Sequence, residues 1–193
     1  MDALDKLFGS PDRVKILRLF MLNAEEVFTL HDVAKRSKVS MASARREMSL
    51  LEGSGFLKEK QNSTSRRKKH WQLDSRFTLL RPLRTLLLSA TPVRSTDILQ
   101  LVRSAGRIKL IIASGVFIGE ESSRVDLLIV GDHVRKSRIE SAIKKMEAEI
   151  GKELSYATIA TNDFTYRLNA YDKFIRDILD FPHQTIIDKL GVA

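Results

Sequence analysis

The spacing of apolar residues predicts three short helices near the start of the chain. Ser10 and Pro11 are typical of a helix N-terminus, and the apolar residues after them recur at helical spacing. Those residues are Val14, Leu17 and Phe20 or Met21. Thr29 and Asp32 stand at the spacing of a capping box and begin a second helix. A tight turn over residues 37–39 leads into the third, which is the arrangement of a helix-turn-helix.

The third predicted helix has one apolar face and one small, basic face. Ser40 is its N-cap, and Gly53 and Gly55 end it. The stripe that would face a core consists of Ala44, Met48 and Leu51. The outward residues are Ala42, Arg46 and Ser49, flanked by Ser43 and Arg45. Short side chains allow close approach to a duplex, and arginines reach phosphates or guanine edges, so we expect a recognition helix for double-stranded DNA.

Two short segments that alternate faces follow this helix. Residues 56–60 and 69–73 are predicted to pair as a hairpin around the polar stretch 61–68. Four consecutive cations close that stretch: Arg66, Arg67, Lys68 and Lys69. They repel one another, so a phosphate backbone is a natural counter-surface, although a charge run alone is usually a solvated loop. Beside a helix-turn-helix we interpret the run as a DNA-contacting wing.

The rest of the pattern predicts a linking region and an α/β domain. The leucine-rich segment 77–89 is expected to pack on the N-terminal domain or on a second copy of it, and Thr91-Pro92 to begin a helix ending at Gly106. Apolar runs predict strands over 108–117, 125–130 and 155–160. Helices are predicted over 133–150, 164–171 and 174–179, with Gly151 and Pro182 as stops. We divide the chain into 1–90, a linking helix 91–105, and 106–193, with an α/β fold overall.

The positive charge of the chain is concentrated in its first half. The net charge is +9, and residues 1–90 carry 18 Lys and Arg against 10 Asp and Glu. Residues 91–193 carry 15 against 14. This asymmetry is expected of a nucleic-acid-binding module joined to a neutral one, because phosphate neutralisation supplies most non-specific binding energy. A basic surface that only keeps the protein soluble is the alternative.

Composition excludes several kinds of site. The chain has no cysteine, so disulfides and thiolate metal sites are excluded, and its four histidines are too scattered to suggest a metal cluster. We therefore predict no metal and no cofactor. The longest apolar run, 110–118, is about half the ~20 residues that a membrane helix needs. With no signal peptide recognisable at the N-terminus, we expect a soluble, cytoplasmic protein.

Residues 10–74 resemble the winged-helix transcription regulators of the arsenic-repressor and multiple-antibiotic-resistance-regulator type. The resemblance is carried by Ser40, Ser43, Ala44, Arg45, Arg46, Met48, Leu51, Gly55, Phe56 and Leu57, followed by the basic hairpin. It implies that the third helix lies in the major groove and that the Arg66–Lys69 tip touches the backbone or minor groove. Winged helices also serve as protein-interaction modules, so the fold alone does not establish DNA binding.

Residues 106–181 resemble the minimal nucleotidyltransferase fold of the polymerase-beta and kanamycin-nucleotidyltransferase superfamily. In that family one strand ends in Gly-Ser and the next carries Asp-x-Asp, whose carboxylates hold Mg²⁺. Here Gly115 matches the glycine, but Val116 replaces the serine and Arg124 replaces the first aspartate, which leaves Asp126 alone. The third strand supplies no acid. We therefore predict a degenerate, non-catalytic domain. An ion pair between Arg124 and Asp126 is the simpler interpretation, and a contact of Arg124 with a nucleotide phosphate is the alternative.

The leading hypothesis is a DNA-binding transcriptional regulator, expected to be a homodimer, with the C-terminal domain used for dimerisation or sensing. Any small-molecule or protein effector is left open. One alternative is an enzyme that transfers a nucleotidyl group to a protein or small molecule. It would need a second carboxylate near Asp126, and only Glu120 and Glu121 of the preceding loop are near in sequence. The other alternative is an antitoxin-like partner protein.

Overall fold

The computed structural model describes residues 3–60, 69–89, 93–120 and 123–192, and in it the chain forms two compact units. The first unit consists of residues 1–92 together with 147–152. The second consists of residues 93–146 together with 153–193. The functional domain limits given by the sequence stay predictions.

The described part of the first unit contains helices in the predicted places and one short helix before them. The helices are α1 (Ala3–Phe8), α2 (Pro11–Leu22), α3 (Leu30–Ser37), α4 (Met41–Gly53) and α5 (Leu80–Ser89). The predicted start of α2 is confirmed, because the Ser10 hydroxyl accepts a hydrogen bond from the Arg13 amide at 3.2 Å and Pro11 occupies the first turn.

A small antiparallel sheet completes this unit. Its strands are β1 (Phe28–Thr29), β2 (Leu57–Lys60) and β3 (His70–Leu73), in the order β1-β3-β2. Leu57 is opposite Leu73, which confirms the predicted hairpin, and Phe28 is opposite Trp71. Strand β1 was not predicted, because two residues are too few to show an alternating pattern. Helices α2, α3 and α4 with this sheet form a winged-helix-like unit.

The core of the first unit joins the helices to the sheet. Phe20 and Phe56 are fully buried, and Phe20 packs edge-on against Phe28 with the ring centroids 5.2 Å apart. Leu87 of α5 is buried in the same cluster. The leucine-rich segment therefore packs on the winged-helix-like unit of its own chain, which was one of the two arrangements expected for it.

The second unit is built on a four-stranded mixed sheet. The strands are β4 (Arg107–Ala113), β5 (Leu127–Asp132), β6 (Tyr156–Ile159) and β7 (Gln184–Asp188), in the order β6-β5-β4-β7. Strand β4 is antiparallel to β5 and β7, whereas β5 is parallel to β6. Strand β7 was not predicted. Its segment follows Pro182, where the sequence interpretation stopped, and none of its residues is fully buried.

Three predicted element limits in this unit are corrected. Strand β4 does not reach Phe117, because the backbone enters a 3-10 turn at Gly115–Phe117 with Gly115 in a left-handed conformation. Strand β5 begins at Leu127 rather than at Val125. The long helix begins at Lys136 rather than at His133, because His133 has a φ of 51° and cannot be helical.

Four helices accompany this sheet in the described ranges. They are α6 (Ser95–Val102), α7 (Lys136–Ile150), α8 (Thr161–Asn169) and α9 (Lys173–Asp180). Thr91-Pro92, the predicted start of the first of them, lies outside the described residues. Phe164 of α8 and Ile175 and Ile178 of α9 are buried against strands β4 and β5. Across the described ranges every helix is too short or too polar to traverse a bilayer.

Candidate nucleic-acid interface

Two caps and one left-handed residue fix the geometry of the helix-turn-helix. The Thr29 hydroxyl accepts from the Asp32 amide at 3.2 Å, and the Asp32 carboxylate accepts from the Thr29 amide at 3.0 Å. The Thr29 hydroxyl also donates to Asp32 Oδ2 at 2.6 Å, and this bond, together with the one from the Thr29 amide, lowers the pKa of Asp32. Lys38, with a φ of 51°, ends α3, and the Ser40 hydroxyl then accepts from the Ser43 amide at 3.1 Å to begin α4. The predicted capping box and N-cap are thus confirmed.

The α4 side chains predicted to meet DNA lie on the exposed side of that helix, with one exception. Ala42, Arg45, Arg46 and Ser49 are exposed, as is the N-cap Ser40. Ala44, Met48 and Leu51 are buried on the other side. Ser43 differs from the rest, because it is half-buried and its hydroxyl donates to the carboxylate of Asp12 on α2. Its side chain therefore fastens α4 to α2.

A buried acid in α4 is the residue that the sequence interpretation missed. The side chain of Glu47 is 1% exposed, and its Oε2 accepts from Arg13 Nε at 2.8 Å. Its Oε1 accepts from Ser10 Oγ at 3.2 Å and from Arg46 Nη2 at 3.2 Å. Burial alone would raise the pKa of Glu47, but the hydrogen bonds from Arg13, Arg46 and Ser10 hold it below its ordinary value.

The sequence position of Glu47 already indicates that its side chain is buried. It lies three residues after Ala44 and four before Leu51, inside the apolar stripe. A charged residue at such a place needs a buried partner, and the partner here is Arg13, thirty-four residues earlier in sequence. The acid therefore joins the middle of α4 to the start of α2 and holds one of the two adjacent arginines.

The described part of the hairpin includes one of the four predicted wing cations. Lys69, directly before β3, is 61% exposed, and its Nζ lies 2.8 Å from Glu59 Oε2 across the hairpin. This contact raises the pKa of Lys69. Arg66, Arg67 and Lys68 lie outside the described residues, so their place in a wing stays a prediction.

In the second unit, Gly115 and Asp126 form a closed structural motif. Asp126 Oδ1 accepts from the Val116 amide and Oδ2 from the Ser155 amide, both at 2.8 Å. Gly115 has a φ of 56°, and a Cβ placed on it would lie 2.1 Å from Asp126 Oδ1. The glycine is therefore required both by its backbone conformation and by the carboxylate beside it. The acid holds three stretches of backbone together: its own, that of the 3-10 turn, and that leading into β6.

The predicted ion pair between Arg124 and Asp126 is wrong. Arg124 Nε instead donates to Asp177 Oδ2 of α9 at 2.8 Å. The prediction assumed that both residues lie in a strand and therefore on one face. Strand β5 begins only at Leu127, so strand alternation does not apply to Arg124 and Asp126. Asp177 gave no local sign of this role, because it lies 53 residues away in sequence.

These residues do not fit the Mg²⁺ ion that the nucleotidyltransferase resemblance implies. Both oxygens of Asp126 accept backbone amides, and among the described residues no three His, Asp or Glu side chains gather as a possible metal site. A cavity of about 350 Å³ lies next to the motif. Its lining includes Ser114, Glu120, Arg124, Lys173, Asp177 and Phe181. Acids and cations are balanced there, and Arg124 is already paired.

Comparisons with known proteins extend over the N-terminal region alone. No protein-family model matches the chain, and no curated protein matches it. Among solved structures, the chain is similar to the adhesin competence repressor (AdcR) of Streptococcus pyogenes, with 18% identity over 37% of this chain and 54% of that chain and a TM-score of 0.32. It is also similar to a cysteine-to-serine mutant of Lactococcus lactis ZitR, with 20% identity over 42% of this chain and 53% of ZitR and a TM-score of 0.34.

A second Lactococcus lactis ZitR mutant gives 19% identity over 39% of this chain and 51% of ZitR, again with a TM-score of 0.34. The chain thus spans about half the length of each structure it matches. These similarities cover about 40% of the chain and assign no family or role by themselves.

Proposed function

We propose that this protein is a transcriptional regulator that binds duplex DNA sequence-specifically through α4, as a homodimer. The observation that carries the proposal is the exposed face of α4, the second helix of a capped helix-turn-helix, where two arginines lie among the small residues Ala42 and Ser49. Small residues let a helix enter the major groove, and arginine supplies both phosphate contacts and bidentate contacts to guanine.

The charge of the chain supports the same proposal. Lys35, Lys38, Arg45 and Lys60 are exposed in the first unit, on α3, on the turn, on α4 and at the end of β2. Exposed cations of this kind release counterions when they meet phosphates, which favours association with any duplex. Sequence preference must then come from groups that reach base edges, and α4 is the element with suitable side chains.

For the second unit we propose a nucleotidyltransferase-like domain without catalytic activity, used for dimerisation or for sensing. The support is chemical: Asp126 serves as a structural acceptor of two backbone amides, and Arg124 stands where a second metal ligand would be required. An active nucleotidyltransferase is not favoured by any described contact. Metal-dependent transfer of a labelled nucleotide that is lost in Asp126→Asn would overturn this part of the proposal.

A selection experiment tests DNA binding. The purified full-length protein is incubated with a duplex library containing a randomised segment, and the retained DNA is sequenced after several rounds. We expect enrichment of a shared, palindromic motif, with half-sites about one helical turn apart if the protein binds as a dimer. The double variant Arg45→Ala/Arg46→Ala should lose the motif.

The matched control for that variant is Arg138→Ala, which removes an exposed arginine from α7 in the second unit. It should retain the wild-type motif and affinity. Wild-type protein that retains no DNA at any salt concentration would disprove the proposed function. Enrichment by the double variant of the same motif as wild type would show that α4 is not the recognition helix.

A further inference from the structure

We propose that the two adjacent arginines of α4 have different tasks: Arg46 reads a base edge, Arg45 contacts a phosphate, and Glu47 positions Arg46. This inference rests on the proposed DNA-binding function and adds to it the source of sequence specificity. It starts from an asymmetry that the sequence Arg-Arg does not reveal, since one guanidinium is hydrogen-bonded to a buried carboxylate and its neighbour is not.

The helix places the two side chains differently. Successive residues of a helix are separated by about 100°, so Arg46, two residues after the buried Ala44, lies about 200° from it. Arg46 is therefore in the middle of the outward face, between the small residues Ala42 and Ser49. Arg45 lies about 100° from Ala44 and thus on the flank. In a helix that enters the major groove, the centre of the outward face meets base edges and the flanks meet the phosphate backbones.

The contacts of Arg46 make it a preorganised side chain. Its Nε and Nη2 lie 3.3 Å and 3.2 Å from Glu47 Oε1, while the side chain as a whole is 71% exposed. The guanidinium has further N–H donors that these two bonds do not use. A planar group already held in one orientation loses less conformational freedom when it binds, which favours a directional contact to a base.

Glu47 can act as an anchor because it is itself fixed. Arg13 Nε at 2.8 Å and Ser10 Oγ at 3.2 Å hold the carboxylate, and Arg13 Nη1 donates to the Phe8 carbonyl at 2.7 Å. The anchor of Arg46 is therefore tied to the segment that leads into α2. A carboxylate that is 1% exposed cannot turn toward solvent when DNA approaches.

The same contact reduces what Arg46 contributes to electrostatic attraction. The negative charge of Glu47 lies beside its guanidinium, so the pair presents less positive charge to a phosphate than a single arginine does. Arg45 is exposed, and among the described residues it has no hydrogen-bond or ion-pair partner for its side chain. Its full charge is available for counterion release.

The experiment compares Arg45→Ala, Arg46→Ala and Glu47→Gln in the full chain by two readouts. Selection from the randomised duplex library reports preference at each position of the motif. The salt dependence of binding to one fixed duplex of unrelated sequence reports net phosphate contacts. Arg45→Ala should keep the motif and lower the salt slope by about 0.9 per site.

Arg46→Ala should lose one base preference, worth roughly 5- to 150-fold in affinity, with a smaller change in slope. Glu47→Gln is expected to weaken that same preference and to steepen the salt slope, because it removes a negative charge and frees Arg46. A variant that merely unfolds would lose both kinds of binding, so stronger salt dependence together with weaker preference identifies a positioning role.

Four results would overturn the inference. If Arg45→Ala loses the motif and Arg46→Ala loses a full unit of the salt slope, the roles assigned to the two arginines are reversed. An unchanged motif in Glu47→Gln would leave Glu47 a purely structural acid. Wild-type protein that binds DNA with a salt slope but selects no motif would remove base reading altogether while leaving DNA binding intact. Absence of all DNA binding would remove the proposed function and this inference with it.

Discussion

Glu47 in the first unit and Asp126 in the second are both acids inside motifs expected to carry function. Their carboxylates accept hydrogen bonds from different kinds of donor. Glu47 accepts from three side chains, of which Arg13 and Arg46 are charged. Asp126 accepts from two backbone amides. Backbone donors are fixed by the fold, whereas a side-chain donor such as Arg46 can also reach solvent.

The difference shows what each acid is able to do. A carboxylate held by backbone amides stabilises the turn around it, and its orientation is fixed by the fold. A carboxylate held by arginines orients groups that remain exposed on the other side. The first arrangement is typical of a structural motif, and the second of a surface prepared for a partner.

The largest effect is expected from Gly115→Ala. The new Cβ would have to displace a carboxylate that two amides hold, in a left-handed backbone conformation. We expect a loss of about 3 kcal/mol in the free energy of unfolding of the second unit. Urea unfolding followed by far-ultraviolet circular dichroism measures it. The fluorescence of Trp71, the single tryptophan, reports the first unit and should not change.

Gly119→Ala is the matched control, because Gly119 also has a positive φ, of 75°, but an added Cβ would meet no described atom within 4 Å. It should cost about 1 kcal/mol, the backbone strain alone. Equal losses in the two variants would mean that the Asp126 carboxylate moves aside easily. Asp126 would then not be the rigid element that the comparison with Glu47 assumes.

The next effect is expected from Glu47→Gln, and it depends on pH. The substitution keeps the volume of the side chain but leaves Arg13 without its charged partner, at a cost of about 1–2 kcal/mol near neutral pH. The folded-state pKa of Glu47 lies below its ordinary value of 4.5. The contribution of the ionised acid is therefore complete above that value and is lost as the pH falls through the folded pKa.

Urea unfolding of wild type and Glu47→Gln, followed by Trp71 fluorescence over a series of pH values, measures this difference. We expect a constant gap at neutral and weakly acidic pH that closes at the acidic end. A gap that stays unchanged to the lowest pH at which the protein folds would show that the hydrogen-bond geometry, and not the charge, holds the network.

The sequence predicted the first unit well because its signals are local. Ser10, Thr29 and Ser40 cap helices through hydrogen bonds to residues three positions away, and such spacing can be read directly. The buried stripe of α4 follows from helical periodicity. What could not be predicted was the partner of Glu47, because no local pattern links α4 to Arg13.

In the second unit the pattern of apolar residues predicted strands β4 and β5 but not the residues at which they end. Apolar runs located β4 and β5, yet they continue past the points where hydrogen-bonded pairing stops, at Ala113 and before Leu127. That error led directly to the wrong ion pair for Arg124. Strand β7 was missed because no residue in it is fully buried, so that its pattern of apolar positions is weak.

A smaller effect is expected from Arg124→Gln. Arg124 is 52% exposed and pairs with Asp177, which is 21% exposed, so the interaction is largely screened by water. We expect a change of less than about 1 kcal/mol in the unfolding of the second unit, measured by circular dichroism. A loss as large as that of Gly115→Ala would instead show that Arg124 supports the Asp126 motif. The same substitution removes one cation from the lining of the cavity beside α9.

The smallest effect on stability is expected from Lys69→Ala, because the pair with Glu59 is exposed on both sides. Its effect on DNA binding shows whether a cation that is paired with a carboxylate of the protein contributes less to phosphate binding than an unpaired cation does. Lys69 already holds a carboxylate at 2.8 Å, so its removal should lower the salt slope by less than the full contribution of about 0.9 expected of one phosphate contact. Glu59→Gln should raise the slope, since it releases Lys69 toward the duplex. A full unit lost in Lys69→Ala would mean that the pair opens on DNA. Lys69 would then exchange Glu59 for a phosphate, whereas Arg46 on α4 stays anchored to Glu47.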